Sequence, residues 1–408
     1  MRRMHPTRGV YFGIGILSGA VIAFQLALLR IFSFTIWHHF SFMVISVALL
    51  GFGIAGVVLR LWPSAGDPPA KRAGLWSAAF GATSLLAVIG LTRLPFDPIK
   101  ITEDATQIVY LAAHYVGLAV PFTFAGLAVV TLLAGYARAV GRVYGADLVG
   151  AGAGAVLGVL GLGSIRVEGV LLAVLAAGAG AGAALALAAG TRRVAVGASL
   201  VCLIALGLVP LGPSMIAFDA GPSKGLWRTL YGDWKKEKTE LLGTGWDALT
   251  RVDVVEDGPR IGWTVNPLRP MPTPRQTMMV LDGDASTAII DFDGEDFSEL
   301  GFLGVSFPSA ALRIFEPDDV LVIGAGGGID ILAALYNGAE HVDAVEISPV
   351  VIEMVTETFG ERGGAALFER DDVTLHRSEG RAFVRSADER FDVIQLSLID
   401  TFAATASG

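Results

Sequence analysis

The sequence predicts two folds joined in one chain. An N-terminal all-α transmembrane bundle of about seven helices is followed by a small β-rich subdomain and an incomplete C-terminal α/β domain of Rossmann-like form. Three observations predict this. The first 213 residues hold long apolar runs, whereas beyond them apolar and polar residues alternate between turns. Charge divides at the same place, with 14 basic and 6 acidic residues up to Pro213 and 16 basic and 33 acidic after it. Finally, a glycine-rich turn, GAGGG at 324–328, lies between a β-branched strand and an amphipathic helix. The predicted domains are 1–213, 214–315 and 316–408.

The chain of 408 residues is 53% hydrophobic with 51 glycines, and its mean hydropathy is +0.60, more apolar than a soluble enzyme. A bilayer core needs roughly 20 apolar residues per helix, because every backbone polar group there must be bonded internally. Stretches at about 10–30, 36–60, 74–92, 107–135, 145–164, 168–189 and 194–212 qualify. The first is too long for a signal peptide and lacks a small-residue cleavage site, so it reads as a retained span. Pro121 is expected to kink the fourth. The fifth and sixth are so rich in Gly and Ala that their helices can pack backbone to backbone.

Polar residues in or near these spans are Gln25, Arg30, His38, His39, His114 and Asp147. Intramembrane ionisable groups are functional candidates. For His38 and His39, flanked by Trp37 and Phe40, an interfacial aromatic belt competes with that reading. For Asp147, placed in the first turn of its helix, stabilisation by the helix dipole competes equally. The basic residues favour an amino terminus on the inner side. Seven spans would then place the acidic domain outside, unless the fifth and sixth form a half-inserted hairpin around SIRVE. The expected location is a multi-pass inner-membrane protein, with the side of the C-terminal domain left open. The lone cysteine, Cys202, forms no disulfide framework and no zinc-type cluster, and no metal is expected.

Residues 214–315 contain LWRTLYGDWKK, DALTRVDVVED, IGWTV and TMMVLDGDASTAII, whose alternation predicts short antiparallel strands with LDGD at a hairpin turn. A helix is predicted over Phe297–Phe315. The run Lys235, Lys236, Glu237, Lys238 reads as a solvated face, not a nucleic-acid patch.

DDVLVIG then forms a strand and IDILAALYNG a helix with Ile331, Leu332 and Leu335 toward the sheet, ended by Asn337 and Gly338. Gly324, Gly326 and Gly328 allow a ligand to approach the backbone, and the helix amino terminus presents free N–H groups. VDAVEIS places Glu346 at the end of a second strand, where a carboxylate can accept both ribose hydroxyls. A dinucleotide fingerprint would put a third glycine at Ile329, so an S-adenosyl ligand fits better than NAD. A Rossmann-like turn without a ligand is the alternative.

These motifs resemble the spermidine synthase (aminopropyltransferase) family, especially membrane-bound members with an N-terminal multi-span domain. The resemblance runs from about Met278 to the end. MMVLDGD is similar to the strand before the substrate gate, VLVIGAGGGID to the cofactor loop, and VEISPVVIEMV to the ribose-binding strand. DVTLHRSEGRAFV is similar to the segment that meets the adenine, with Glu379 in that place, and FDVIQLSLID to the strand leading to the catalytic loop. The resemblance implies a Rossmann-like S-adenosyl-binding domain with decarboxylated S-adenosylmethionine or S-adenosylmethionine as substrate and a polyamine or other amine as acceptor. A homodimer is one assembly open to it.

The family places one carboxylate where this chain has Gly327 and two more where it has Ser397 and Asp400. Asp400 is therefore the expected catalytic residue. Asp330 either reaches the site from the first helical turn or serves the helix dipole. Four candidate strands, near 320–324, 342–346, 373–376 and 391–396, fall short of the roughly six or seven of a doubly wound fold. The expectation is a truncated domain, poorly active alone. Two other readings stay open: a methyltransferase on the same fold, and a nucleoside- or polyamine-binding sensor or transporter.

Overall fold

The computed structural model describes residues 5–36, 40–62, 67–256, 258 and 273–397. The chain divides into two compact units, Met1–Ser223 and Lys224–Gly408.

The first unit is built from α1 (Arg8–Thr35), α2 (Ser41–Leu61), α3 (Pro69–Leu91), α4 (Thr106–Gly135), α5 (Val140–Ser164), α6 (Arg166–Ala188) and α7 (Arg192–Leu208). Seven helices among the described residues are long and apolar enough to cross a membrane, as expected. Both helices flanking SIRVE are full-length, at 25 and 23 residues. α4 continues unbroken through Pro121.

The Gly- and Ala-rich helices use their small residues against earlier ones: α5 packs on α1, and α6 on α3. A Cβ at Gly150 would lie 2.1 Å from the Gly15 carbonyl oxygen, and one at Gly182 would lie 2.8 Å from that of Gly74. Only hydrogen fits at such contacts, so glycine spacing sets the helix separation.

Asp147 is not in a first turn, because α5 begins at Val140, two turns earlier. Its carboxylate instead accepts a hydrogen bond from Ser18 of α1. His114 is buried, contacts the rings of Phe32 and Phe96, and places Nδ1 2.8 Å from the Tyr110 carbonyl. Arg30 is buried and Gln25 half-buried. His38 and His39 lie outside the described residues.

The second unit contains two sheets. β1 (Glu240–Trp246), β2 (Arg251–Glu256), β3 (Gln276–Leu281) and β4 (Ala285–Ile290) form an antiparallel meander. At LDGD, Asp282 and Gly283 both take positive φ, 48° and 79°, and the Asp284 N–H donates to the Leu281 carbonyl. This is the predicted hairpin. LWRTL is a short helix, Gly225–Leu230, not a strand, and IGWTV lies outside the described residues.

Four parallel strands follow: β5 (Asp319–Ile323), β6 (His341–Glu346), β7 (Val373–Arg377) and β8 (Val393–Gln395), in the order β7-β6-β5-β8. Each predicted strand is found, β8 shorter than expected. The helix predicted over Phe297–Phe315 is broken into a 3-10 segment, Ser298–Val305, and an α-helix, Ser309–Phe315. Pro308 explains the break, since it disfavours helical backbone at the residue before it.

One face of β4 and one face of the parallel sheet feed a single core, in which Ala288 and Ile290 join Val320, Val322, Leu332 and Val342. The other face of the meander covers the helix Pro349–Glu353 through Val252, Met279, Val350 and Val351. The two sheets are thereby held at a fixed spacing, with the glycine turn between them.

Candidate functional site

In a doubly wound sheet, ligands bind outside the carboxyl ends of the strands, where the strand order reverses. Here that point is β5, with β6 on one side and β8 on the other. A cleft of about 1090 Å³ opens there, and its wall includes Gly324, Gly326, Asp330, Glu346, Glu379 and Ser397.

The turn after β5 takes positive φ at Gly324, Gly326 and Gly328, at 85°, 50° and 88°, a conformation open to glycine at no steric cost. Gly324 and Gly326 face the cleft. Gly328 instead caps the following helix, α8 (Ile329–Tyr336), and lies against Leu367. As the sequence pattern requires, Ile331, Leu332 and Leu335 are buried, and Gly338 ends the helix with φ 99°.

Gly327 has a different constraint. Its N–H donates to Thr287 Oγ1 at 3.1 Å, and a Cβ on it would stand 2.1 Å from the Ala288 carbonyl oxygen. The turn is pressed onto β4 so closely that position 327 has no room for a side chain. Thr287 was not foreseen as a site residue; its only signal was a hydroxyl in ASTAII just after the hairpin.

Glu346 ends β6 and is buried. Its Oε2 accepts the Gly326 N–H at 3.1 Å and its Oε1 accepts the Ser348 N–H at 2.9 Å. Each oxygen retains acceptor capacity, which suits a vicinal diol. Burial pushes the Glu346 carboxyl above its ordinary 4.5, against the pull of these backbone donors and with a small further push from Asp247.

Ser348 and Asp247 support this strand end, and neither stood out in the sequence. The Ser348 hydroxyl donates to Asp247 Oδ2 at 2.6 Å and accepts the Val351 N–H at 3.2 Å, capping the helix Pro349–Glu353. Asp247 Oδ1 in turn accepts the N–H groups of Leu249 and Thr250. Ser348→Ala is expected to destabilise the second unit by about 1–2 kcal/mol, the usual cost of a lost cap and a buried hydrogen bond. Amide hydrogen exchange at 348–352 in the full chain measures it, and unchanged protection there contradicts this role.

Asp330 occupies the first turn of α8, only 4% exposed, and its Oδ1 is buried with no hydrogen-bond partner among the described residues. Burial raises its carboxyl above the ordinary 3.8, opposed by the Ser397 and Gln395 side chains at the end of β8. Gln395 Nε2 also donates to Ser397 Oγ at 3.3 Å. Because the folded state holds the Asp330 proton more tightly than the unfolded chain, this group's contribution is present below pH 3.8 and lost as pH rises through its raised folded value. At neutral pH it is a burden, so Asp330→Asn is expected to be at least as stable as the parent in thermal unfolding. A clearly lower midpoint contradicts this.

Glu379 stands at the cleft edge and begins the helix α9 (Gly380–Ser386). Its carboxylate accepts the Ala382 N–H at 2.9 Å and pairs with Arg381 Nε at 3.1 Å. These backbone and side-chain bonds hold it below the usual carboxylate value. Asp400 lies outside the described residues. The cleft thus gathers Gly324, Gly326, Asp330, Glu346, Glu379 and Ser397, with no metal-binding group of His, Cys, Asp or Glu among the described residues.

Residues 306–407 match the family model of the spermine/spermidine synthase domain. This part of the chain is similar to the spermine/spermidine synthase domain. A polyamine aminopropyltransferase from Streptococcus uberis is 31% identical over 91 residues, 22% of this chain and 31% of that protein. One from Korarchaeum cryptofilum is 33% identical over 91 residues, 22% of this chain and 28% of its own length. The chain therefore spans about a third of these curated relatives. A spermidine synthase structure from Thermotoga maritima aligns with 39% of this chain and 47% of its own at 21% identity, TM-score 0.28. The matched residues include the glycine turn, Glu346 and most of the cleft wall, whereas Leu281 and Thr287 of that wall precede them.

Proposed function

We propose that the second unit binds an S-adenosyl nucleoside in the β5 cleft and transfers an aminopropyl group from it to an amine, with a polyamine as acceptor. The observation carrying this reading is Glu346, which joins the glycine turn to the end of β6 through Gly326 and keeps acceptor capacity on both oxygens. The polyamine aminopropyltransferases similar to this chain supply the reaction class. In such a transfer the lone pair of a neutral amine attacks the carbon beside the sulfonium. The carbon–sulfur pair then returns to sulfur, leaving a neutral thioether nucleoside, and the new ammonium gives up a proton. Asp400 is the carboxylate proposed to take that proton.

Isothermal titration of the full chain with decarboxylated S-adenosylmethionine, S-adenosylmethionine and methylthioadenosine tests the reading. Binding of the decarboxylated donor and of methylthioadenosine is expected, and failure of all three overturns it. Gly327 bears on a second reading, methyl transfer, because position 327 itself presents no side-chain carboxylate, so that a methionine carboxylate lying against the turn and away from Asp330 would meet no like charge there. Tighter binding of the carboxylated donor would select it.

The first unit is proposed to span a bilayer. Its outer helices expose large apolar side chains, among them Val149, Leu157 and Leu203, which hydrocarbon accommodates and water does not. Seven spans among the described residues, with the basic ends inside, would put the second unit on the outer side, and that orientation is the one proposed. A reporter fused after Ser223 is expected to read as external, and a cytoplasmic signal overturns that orientation.

A further inference from the structure

We infer that Asp330 is the ammonium-binding carboxylate of this cleft and selects ligands that carry a primary amine. The inference rests on the nucleoside-binding reading above and adds the chemistry of the group bound beyond the nucleoside.

Three observations carry it. Position 327 cannot hold a side chain, since any Cβ there meets the Ala288 carbonyl oxygen at 2.1 Å. The carboxylate that the glycine turn lacks is supplied one helical turn further on, from the floor of the same cleft, by Asp330. Its Oδ1 is buried without a hydrogen-bond partner among the described residues. An orphaned buried carboxylate oxygen is costly, and no helix dipole requires that depth, because a first-turn acid interacts with the dipole while solvated. An ammonium brings three donors and the opposite charge. Gln395 and Ser397, at the end of β8, stand on the other side of the strand-order reversal and complete a polar corner there. A ligand carboxylate in the same corner would face Asp330 and be repelled.

The ammonium could belong to the aminopropyl chain of the donor or to the polyamine acceptor. Titrations of the full chain and of Asp330→Asn with decarboxylated S-adenosylmethionine, with methylthioadenosine, and with putrescine in the presence of saturating methylthioadenosine separate the two. Methylthioadenosine carries no ammonium, so its affinity is expected to stay within about twofold. At least one ammonium ligand is expected to weaken by roughly 10- to 100-fold, as for loss of a charge-assisted contact. Loss confined to the decarboxylated donor assigns the donor chain, and loss confined to putrescine assigns the acceptor. Asp330→Glu, which keeps the charge, is expected to recover part of the lost affinity. Equal weakening of all three ligands, or no weakening of either ammonium ligand, overturns the inference. If methylthioadenosine binds the parent chain while Asp330→Asn changes nothing, this inference fails and the nucleoside reading stands. If no nucleoside binds the parent, both fail.

Discussion

Glu346→Ala is expected to weaken methylthioadenosine binding by roughly 100-fold, about 3 kcal/mol, as measured by titration of the full chain. The substitution removes both acceptors proposed for the ribose hydroxyls. It also frees the Gly326 and Ser348 N–H groups that now donate to the carboxylate, so the turn loses its tether to the end of β6. Glu346→Gln, which keeps one oxygen acceptor, is expected to fall between the two. Because the ribose is common to donor and product, Glu346→Ala should weaken every S-adenosyl ligand alike, in contrast to the selective effect expected at Asp330. An affinity for methylthioadenosine within about twofold of the parent would remove Glu346 from the site.

The second large effect is expected at Gly327. Placing a carboxylate there, as Gly327→Asp, should destabilise the second unit by about 3 kcal/mol and yield no gain in aminopropyl transfer. The obstacle is backbone: the nearest atoms to an added Cβ are the Ala288 carbonyl oxygen and carbon, at 2.1 and 2.4 Å. No rotamer change relieves such a contact, so either the turn or β4 must move. Moving the turn would break the Gly327 to Thr287 hydrogen bond. Thermal unfolding of the full chain measures the first outcome, and product formation from decarboxylated donor and putrescine the second. A Gly327→Asp chain as stable as its parent and more active would show that the turn is adaptable and that its carboxylate is interchangeable with Asp330.

The two predictions differ in what the sequence already carried. Glu346 was legible because its place depends on a local pattern: a β-branched strand, a polar residue at its end, and a spacing of about 20 residues from the glycine turn. Strands β5 to β8, the helix ending at Gly338 and the LDGD hairpin were legible for the same reason, since strand period, capping and positive φ are set within a few residues. The seven apolar helices followed from length and hydropathy alone. Pro308 marks a break in the sequence too, although the apolar spacing from Phe297 to Phe315 by itself predicts one continuous helix.

What the sequence left undecided depends on chain segments far apart. Whether Gly327 could be anything but glycine depends on β4, some 40 residues earlier, lying against the turn. Whether Asp330 serves a helix dipole or a ligand depends on its burial beside β8, more than 60 residues later. Asp147 reads as a first-turn acid until α5 is seen to start at Val140 and α1 to bring Ser18 against it. Local pattern thus determines which elements form and which side chains stand at their ends, because those preferences act over one or two turns of chain. Which of those side chains share a cleft, and which are shut out of it by a carbonyl 2.1 Å away, follows from the packing of the two sheets around one core, a long-range property that no short window of residues contains.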